Sequence, residues 1–207
     1  VSVHALLLRR ESAVPGLLLA AALSSACFGA AVGSYTGGWQ IVYDAVKMPV
    51  YLFGTLAISF GAMHLFAARE LQARETFAVA METVALTAVV LGALAPIVWL
   101  LSLSLPFSPG LRDPDSQRGY RILILLLTAS VAAGGVTGVA RLRSRLHSAR
   151  LTAIWVLLYQ FTGAQMAWLL KPWVSHTGMD DRFLPLRENL KGNFYESVFH
   201  TVLSFIQ

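Results

Sequence analysis

Lys47, His64, Glu82, Gln160 and Gln165 are the side chains of this sequence with chemistry to offer away from water, because each lies in or beside a long apolar run. A charge at the centre of a bilayer costs roughly 2.5–3.5 kcal/mol unless it is paired or hydrated, so such residues are read first as candidate sites. His64 and Glu82 are of acid–base type: an imidazole can carry a proton, and a carboxylate can hold a proton or a cation. His64 falls near the end of one apolar run and Glu82 near the start of the next, so either a Glu82–His64 or a Glu82–arginine pair is open to them. Gln160 and Gln165, with Trp168, are expected to direct polar groups into a helix bundle and to hydrogen-bond between helices. Lys47 is expected at the edge of its apolar run, where a long side chain snorkels to the headgroups.

The patterns of familiar enzymes do not accompany these residues. There is no His-Glu-x-x-His zinc helix, no Gly-x-Ser-x-Gly elbow and no Gly-rich phosphate loop ending in Lys-Ser/Thr. Gly33-Ser34-Tyr35-Thr36-Gly37 superficially resembles a serine-protease turn, but no histidine has a predictable relation to it. Cys27 is the one cysteine, which excludes an intrachain disulfide and any Cys-based metal cluster. No catalytic, cofactor-binding or metal-binding residue is therefore expected, and the chain reads as non-enzymatic.

The elements that must position these side chains are five apolar stretches at about 14–32, 48–68, 77–105, 122–140 and 151–170. Each approaches or exceeds the roughly 20 helical residues that cross a bilayer. Hydrophobic residues make up 56% of the 207 residues and charged ones 13%, where soluble chains carry about 25% charge. The fold class expected is all-α: a single polytopic membrane domain with five transmembrane helices and a C-terminal amphipathic interfacial helix. Its solvent is a lipid bilayer. The net charge of +5 reflects basic loops near span ends and calls for no nucleic acid.

Arg9-Arg10 and the apolar run up to Cys27 have the outline of a secretion signal with a lipid-attachment cysteine. Because Phe28 to Val32 stay apolar, an uncleaved first span is the stronger reading. Span two is expected to begin at or just after Pro49, which suits a first helical turn. Arg69–Glu75 reads as a helical charged connector, Pro96 as the kink of a long span three, and Pro106–Gly119 as a loop. With the N-terminus inside, Lys and Arg divide equally between the two sides, eight to eight. The acid-free cluster Arg141–Arg150 breaks the tie, placing the N-terminus inside, in the cytoplasm, and the C-terminus outside.

Asn193-x-x-Glu196 reads as a capping box opening the surface helix over 193–207. Ser25, Gly29, Gly33 and Gly37 recur every four residues, and Gly134-x-x-x-Gly138 and Gly163-x-x-x-Ala167 repeat the spacing. Small residues so placed let helix backbones approach closely. Packing within the chain's own bundle is the first expectation, and a homo-oligomer contact the second.

The run from Gly163 to Trp173, with Leu186-Arg187-Glu188, Gly192-Asn193-Phe194-Tyr195 and Lys47-Met48-Pro49, resembles an uncharacterised family of small bacterial multispanning membrane proteins. Its members are often labelled as actin-binding WH2-domain proteins, and their layout is similar to the Yip1 superfamily. That family usually has Arg-Pro-Phe where this chain has Lys171-Pro172-Trp173. The actin-binding label does not suit these residues, since Leu190-Lys191-Gly192-Asn193 lacks a second basic residue and precedes a helix. The resemblance implies a fold and a membrane address and no activity.

Lys171, Pro172 and Trp173, with Asn193, Phe194 and Tyr195, are expected to build a shelf at the membrane surface where a partner docks. The function expected is a scaffold, anchor or accessory subunit of a larger membrane complex, with other membrane subunits as partners and no cofactor. A small oligomeric transporter or channel using His64 and Glu82 is the competing expectation.

Overall fold

The computed structural model describes residues 14–68, 70–106, 114–146, 148–171, 173, 183–184 and 192, which contain five helices and no strand. They are α1 Val14–Gly33, α2 Gln40–Ala67, α3 Ala73–Ser104, α4 Pro114–Arg145 and α5 Ala149–Leu169. Helices α1, α2 and α3, and Arg118–Arg145 of α4, are long and apolar enough to cross a membrane. The 21-residue α5 lies where a fifth span is expected, but it does not stand with those four, its apolar run being diluted by Thr152, Gln160, Thr162 and Gln165.

An apolar solvent explains why these segments are helical: with no water to serve the backbone, each N–H and C=O must be satisfied within its own segment. Side-chain hydroxyls follow the same rule. Ser25 donates to the Ala21 carbonyl at 2.6 Å, Thr55 to Tyr51 at 2.6 Å and Thr83 to Val79 at 2.9 Å, a back-bond that hides a hydroxyl along its own helix. The outward faces are apolar as well: Leu65, Leu125 and Leu157 are 75%, 70% and 69% exposed, as suits a surface wetted by hydrocarbon.

Helix α1 packs against both α2 and α3, α4 lies on α3, and α5 lies on α2, while α4 and α5 barely meet. One part of the core gathers Ala21, Leu52, Leu56, Met63, Val84, Ala88 and Trp155; another gathers Phe28, Val32, Met48, Leu91, Val98 and Leu123. The small-residue stripes are consumed in this packing. A Cβ on Gly29 would overlap the Asp44 carbonyl, one on Gly33 the Gln40 carbonyl, and one on Gly138 the Thr87 hydroxyl. Gly37 does not continue the α1 stripe: the helix ends at Gly33, and Gly37 turns the chain at φ 77°, a conformation open to glycine.

Several boundaries differ from the sequence expectation. Helix α2 begins at Gln40 and runs through Pro49, so Pro49 is internal rather than in the first turn. A proline removes one backbone donor and disfavours the helix before it; here the close seat of residues 40–48 on Gly29 and Gly33 holds that stretch helical. Of the expected helical connector, Ala73, Arg74 and Glu75 belong to α3, whereas Glu70, Leu71 and Gln72 are not helical; the Glu75 carboxylate accepts from the Gln72 N–H at 3.1 Å. Helix α4 takes in the second half of the expected 106–119 loop, with Pro114 as its opening residue and Asp115 in the first turn, both favoured there. Pro96 lies inside α3, which remains one helix. The expected surface helix 193–207 lies outside the described residues.

Candidate functional site

Gln40, Asp44 and Lys47 stand at i, i+4 and i+7 on the first turns of α2, so helical geometry puts them on one face. That face lies against α1, where the missing side chains of Gly29 and Gly33 admit the α2 backbone. Asp44 is 1% exposed and Lys47 is fully buried. The Lys47 ammonium lies 3.8 Å from Asp44 Oδ1, the oxygen that also accepts a hydrogen bond from Gln40 Nε2 at 2.8 Å. Asp44 Oδ2 is buried without a hydrogen-bond partner among the described residues. Lys47 Nζ also lies 5.8 Å from the centroid of the Phe183 ring, whose edge meets Tyr43 with centroids 5.3 Å apart. An amine and a carboxyl sealed together in this way can share a proton or hold opposite charges, each the other's counter-ion.

Lys47 is thus not the snorkelling residue expected of it. The early start of α2 places it two turns inside the helix and turns it inward. Asp44, Gln40 and Phe183 were not expected as site residues at all. The signal was present, since Gln40, Asp44 and Lys47 share a helical face, but it is visible only if the helix begins before Pro49.

The second polar cluster lies at the opposite end of the bundle. Glu82 of α3 accepts from Arg145 of α4 through Nε at 2.9 Å and through Nη2 at 3.2 Å, and Arg141 Nη2 lies 3.2 Å from Glu82 Oε2. This fork is the strong form of a carboxylate–arginine contact. Of the two pairings open to Glu82, the structure contains the arginine one. His64 instead meets the Thr76 hydroxyl through Nδ1 at 3.2 Å and stacks on Phe60 with centroids 6.2 Å apart.

Among the described residues, Gln160 and Gln165 do not supply the interhelical hydrogen bonds expected of them. Gln160 is exposed and Gln165 half-buried. Neighbouring aromatic residues of α5 make the contacts instead: Trp155 Nε1 donates to the Met63 carbonyl at 3.0 Å and the Tyr159 hydroxyl to the Leu52 carbonyl at 3.2 Å. An aromatic ring fills the helix–helix gap and carries its polar atom across it; a glutamine offers less apolar area to bury.

At the end of α5, the Lys171 ammonium sits 3.0 Å from the centroid of the Trp168 ring, a cation–π contact. Partial desolvation lowers the Lys171 pKa from its ordinary value. Trp173 donates from Nε1 to the Ala167 carbonyl at 2.9 Å and meets Tyr51 edge-on with centroids 5.7 Å apart. The end of the expected shelf is therefore fastened to α5 and α2. Pro172, Asn193, Phe194 and Tyr195 lie outside the described residues.

Between α2, α3, α4 and α5 lies a cavity of about 110 Å³ lined mainly by apolar side chains, among them Leu56, Val84, Leu142 and Trp155, with Tyr159 and Gln160 towards its far end. Among the described residues no three His, Cys, Asp or Glu side chains converge as a metal site. No family model, no curated protein and no solved structure matches this chain.

Proposed function

We propose that this chain is a non-enzymatic integral membrane component, a scaffold, anchor or accessory subunit of a larger membrane complex. The observation that carries the proposal is that Glu82, His64 and Lys47 are engaged in separate local contacts, with Lys47 and Glu82 at opposite ends of the bundle. Glu82 is forked by Arg145, His64 meets Thr76, and Lys47 faces Asp44. The core between them is built of Leu52, Leu56, Val84, Ala88 and Leu91. A transporter or channel built on His64 and Glu82, the competing proposal, needs polar groups that lead from one to the other and onward. The small-residue stripes are occupied by the chain's own helices, which favours a different protein over a second copy as the partner.

The address that goes with this function is a bacterial inner membrane, with α5 as a fifth span, the N-terminus cytoplasmic and the C-terminus periplasmic. The acid-free basic cluster at the end of α4 and the start of α5 supports that orientation. The docking surface proposed is the shelf from Lys171 to Trp173 together with Asn193, Phe194 and Tyr195.

The test is purification of the tagged protein in mild detergent, followed by mass analysis of the intact species. A different protein in fixed stoichiometry supports the subunit function, and its loss on truncation before Asn193 supports the shelf. A closed homo-oligomer whose solute flux is lost in H64A and E82Q, with assembly unchanged, overturns it in favour of a pathway.

A further inference from the structure

We propose that the cavity between α4 and α5 seats part of an acyl chain of an anionic phospholipid, with the lipid phosphate on Arg141 and Arg143 at its mouth. The proposal rests on the reading that these helices lie in a bilayer and is independent of the subunit function above.

The groove exists because α4 and α5 are held by different neighbours, α3 and α2, and scarcely touch each other. Its α4 wall runs from Val131 to Leu142, about 16 Å at 1.5 Å per residue. Glycines keep that wall low: a Cβ on Gly135 would meet nothing within 4 Å. The enclosed volume, about 110 Å³, is of the order of the 150 Å³ apolar cavity that takes up benzene. It therefore holds a short stretch of hydrocarbon, and the rest of the chain lies along the open side between the two helices.

Charge identifies the headgroup. The face of α4 that lines the groove through Val131, Gly135 and Val139 continues at the next i+4 position to Arg143. The face through Gly138 and Leu142 continues to Arg145. Arg145 is committed to Glu82. Arg141 touches the same carboxylate, yet its side chain stays 43% exposed, and Arg143 is exposed. Among the described residues of 70–82 and 141–150, at this end of the bundle, there are five arginines and three glutamates. An apolar slot at bilayer depth below a basic rim suits an anionic lipid better than a zwitterionic one, whose phosphate charge is cancelled by its own cation.

The test uses the full chain in phosphatidylcholine vesicles with chain-spin-labelled phosphatidylglycerol or phosphatidylcholine, reading the motionally restricted fraction. The expected result is a roughly fivefold preference for phosphatidylglycerol, the effect of one arginine near an anionic surface, weakening as salt rises. The R141Q/R143Q variant, which keeps Arg145 on Glu82, is expected to bring the ratio near one. G135L, which fills the groove where no atom stands, is expected to remove one restricted lipid per chain. Equal association of the two lipids with the unaltered protein overturns the proposal, and that comparison needs no variant to fold. A preference unchanged in R141Q/R143Q overturns the phosphate site. A restricted fraction unchanged in G135L overturns the acyl seat.

Discussion

Replacing Lys47 by methionine keeps the length and most of the apolar stem of the side chain and removes only its charge. In the native protein the ammonium lies 3.8 Å from the Asp44 carboxylate, an attraction of about 4 kcal/mol at an effective dielectric constant near 20. Without it, Asp44 keeps one hydrogen bond, from Gln40, and stays 1% exposed. A carboxylate stranded in this way destabilises a fold by about 3–5 kcal/mol, so K47M is expected to lose that much. D44N takes the carboxylate away from the buried Lys47 ammonium and is expected to destabilise the fold as well. The double variant D44N/K47M removes both charges and leaves an amide oxygen to accept from Gln40. It is expected within about 1 kcal/mol of the parent, since a buried pair and an uncharged replacement nearly balance. The assay is equilibrium unfolding by titration of a denaturing detergent into mild-detergent micelles, followed by helical circular dichroism. The non-additivity is the signature: the two single losses must exceed the double loss by several kcal/mol. A K47M loss below about 1 kcal/mol, or single losses that simply add, would refute the description of Asp44 and Lys47 as a charged pair sealed against α1.

Further substitutions probe the packing. Gly29→Ala forces a Cβ into the Asp44 carbonyl and is expected to cost about 3 kcal/mol in the same titration, the upper part of the usual overpacking range; Gly61→Ala, where a Cβ meets nothing within 4 Å, is expected to gain up to about 1 kcal/mol. E82Q leaves Arg145 without its charged fork and is expected to lose about 1.5–3 kcal/mol, whereas H64F, on an element that does not pair with Glu82, should leave the E82Q loss unchanged when the two are combined. W155F keeps an aromatic ring in the core but loses the hydrogen bond to the Met63 carbonyl, with an expected cost of about 1 kcal/mol; a loss several times larger would show that ring volume, and not the indole N–H, is what α5 contributes there.

The arrangement of apolar residues along the chain was enough to specify the helices. Long uninterrupted runs leave a backbone no partner but itself once water is gone, so the centres of α1, α3 and α4 were legible, as was the use of Gly29, Gly33 and Gly138 as close-approach points. Helix ends were less so. Pro49 carries a local signal against a preceding helix, and that signal was outweighed by packing energy from α1, which no local reading of residues 40–49 contains. One wrong boundary then hid a site, because Gln40, Asp44 and Lys47 fall on a common face only when they belong to the same helix.

Sequence by itself therefore determined the class of solvent, the approximate lengths of the apolar helices and the smooth stripes along which they close. Tertiary structure alone decided the partners of the charged groups. Glu82 had an imidazole and several guanidinium groups within plausible reach, and α4 crossing α3 selected Arg141 and Arg145. It also decided which polar side chains of α5 face inward, favouring Trp155 and Tyr159 over Gln160, and it opened the cavity where α4 and α5 part. The physical reason is one of range: hydropathy and backbone hydrogen bonding act over a turn or two of helix and are written in consecutive residues, whereas an ion pair or a cavity depends on the relative placement of helices tens of residues apart.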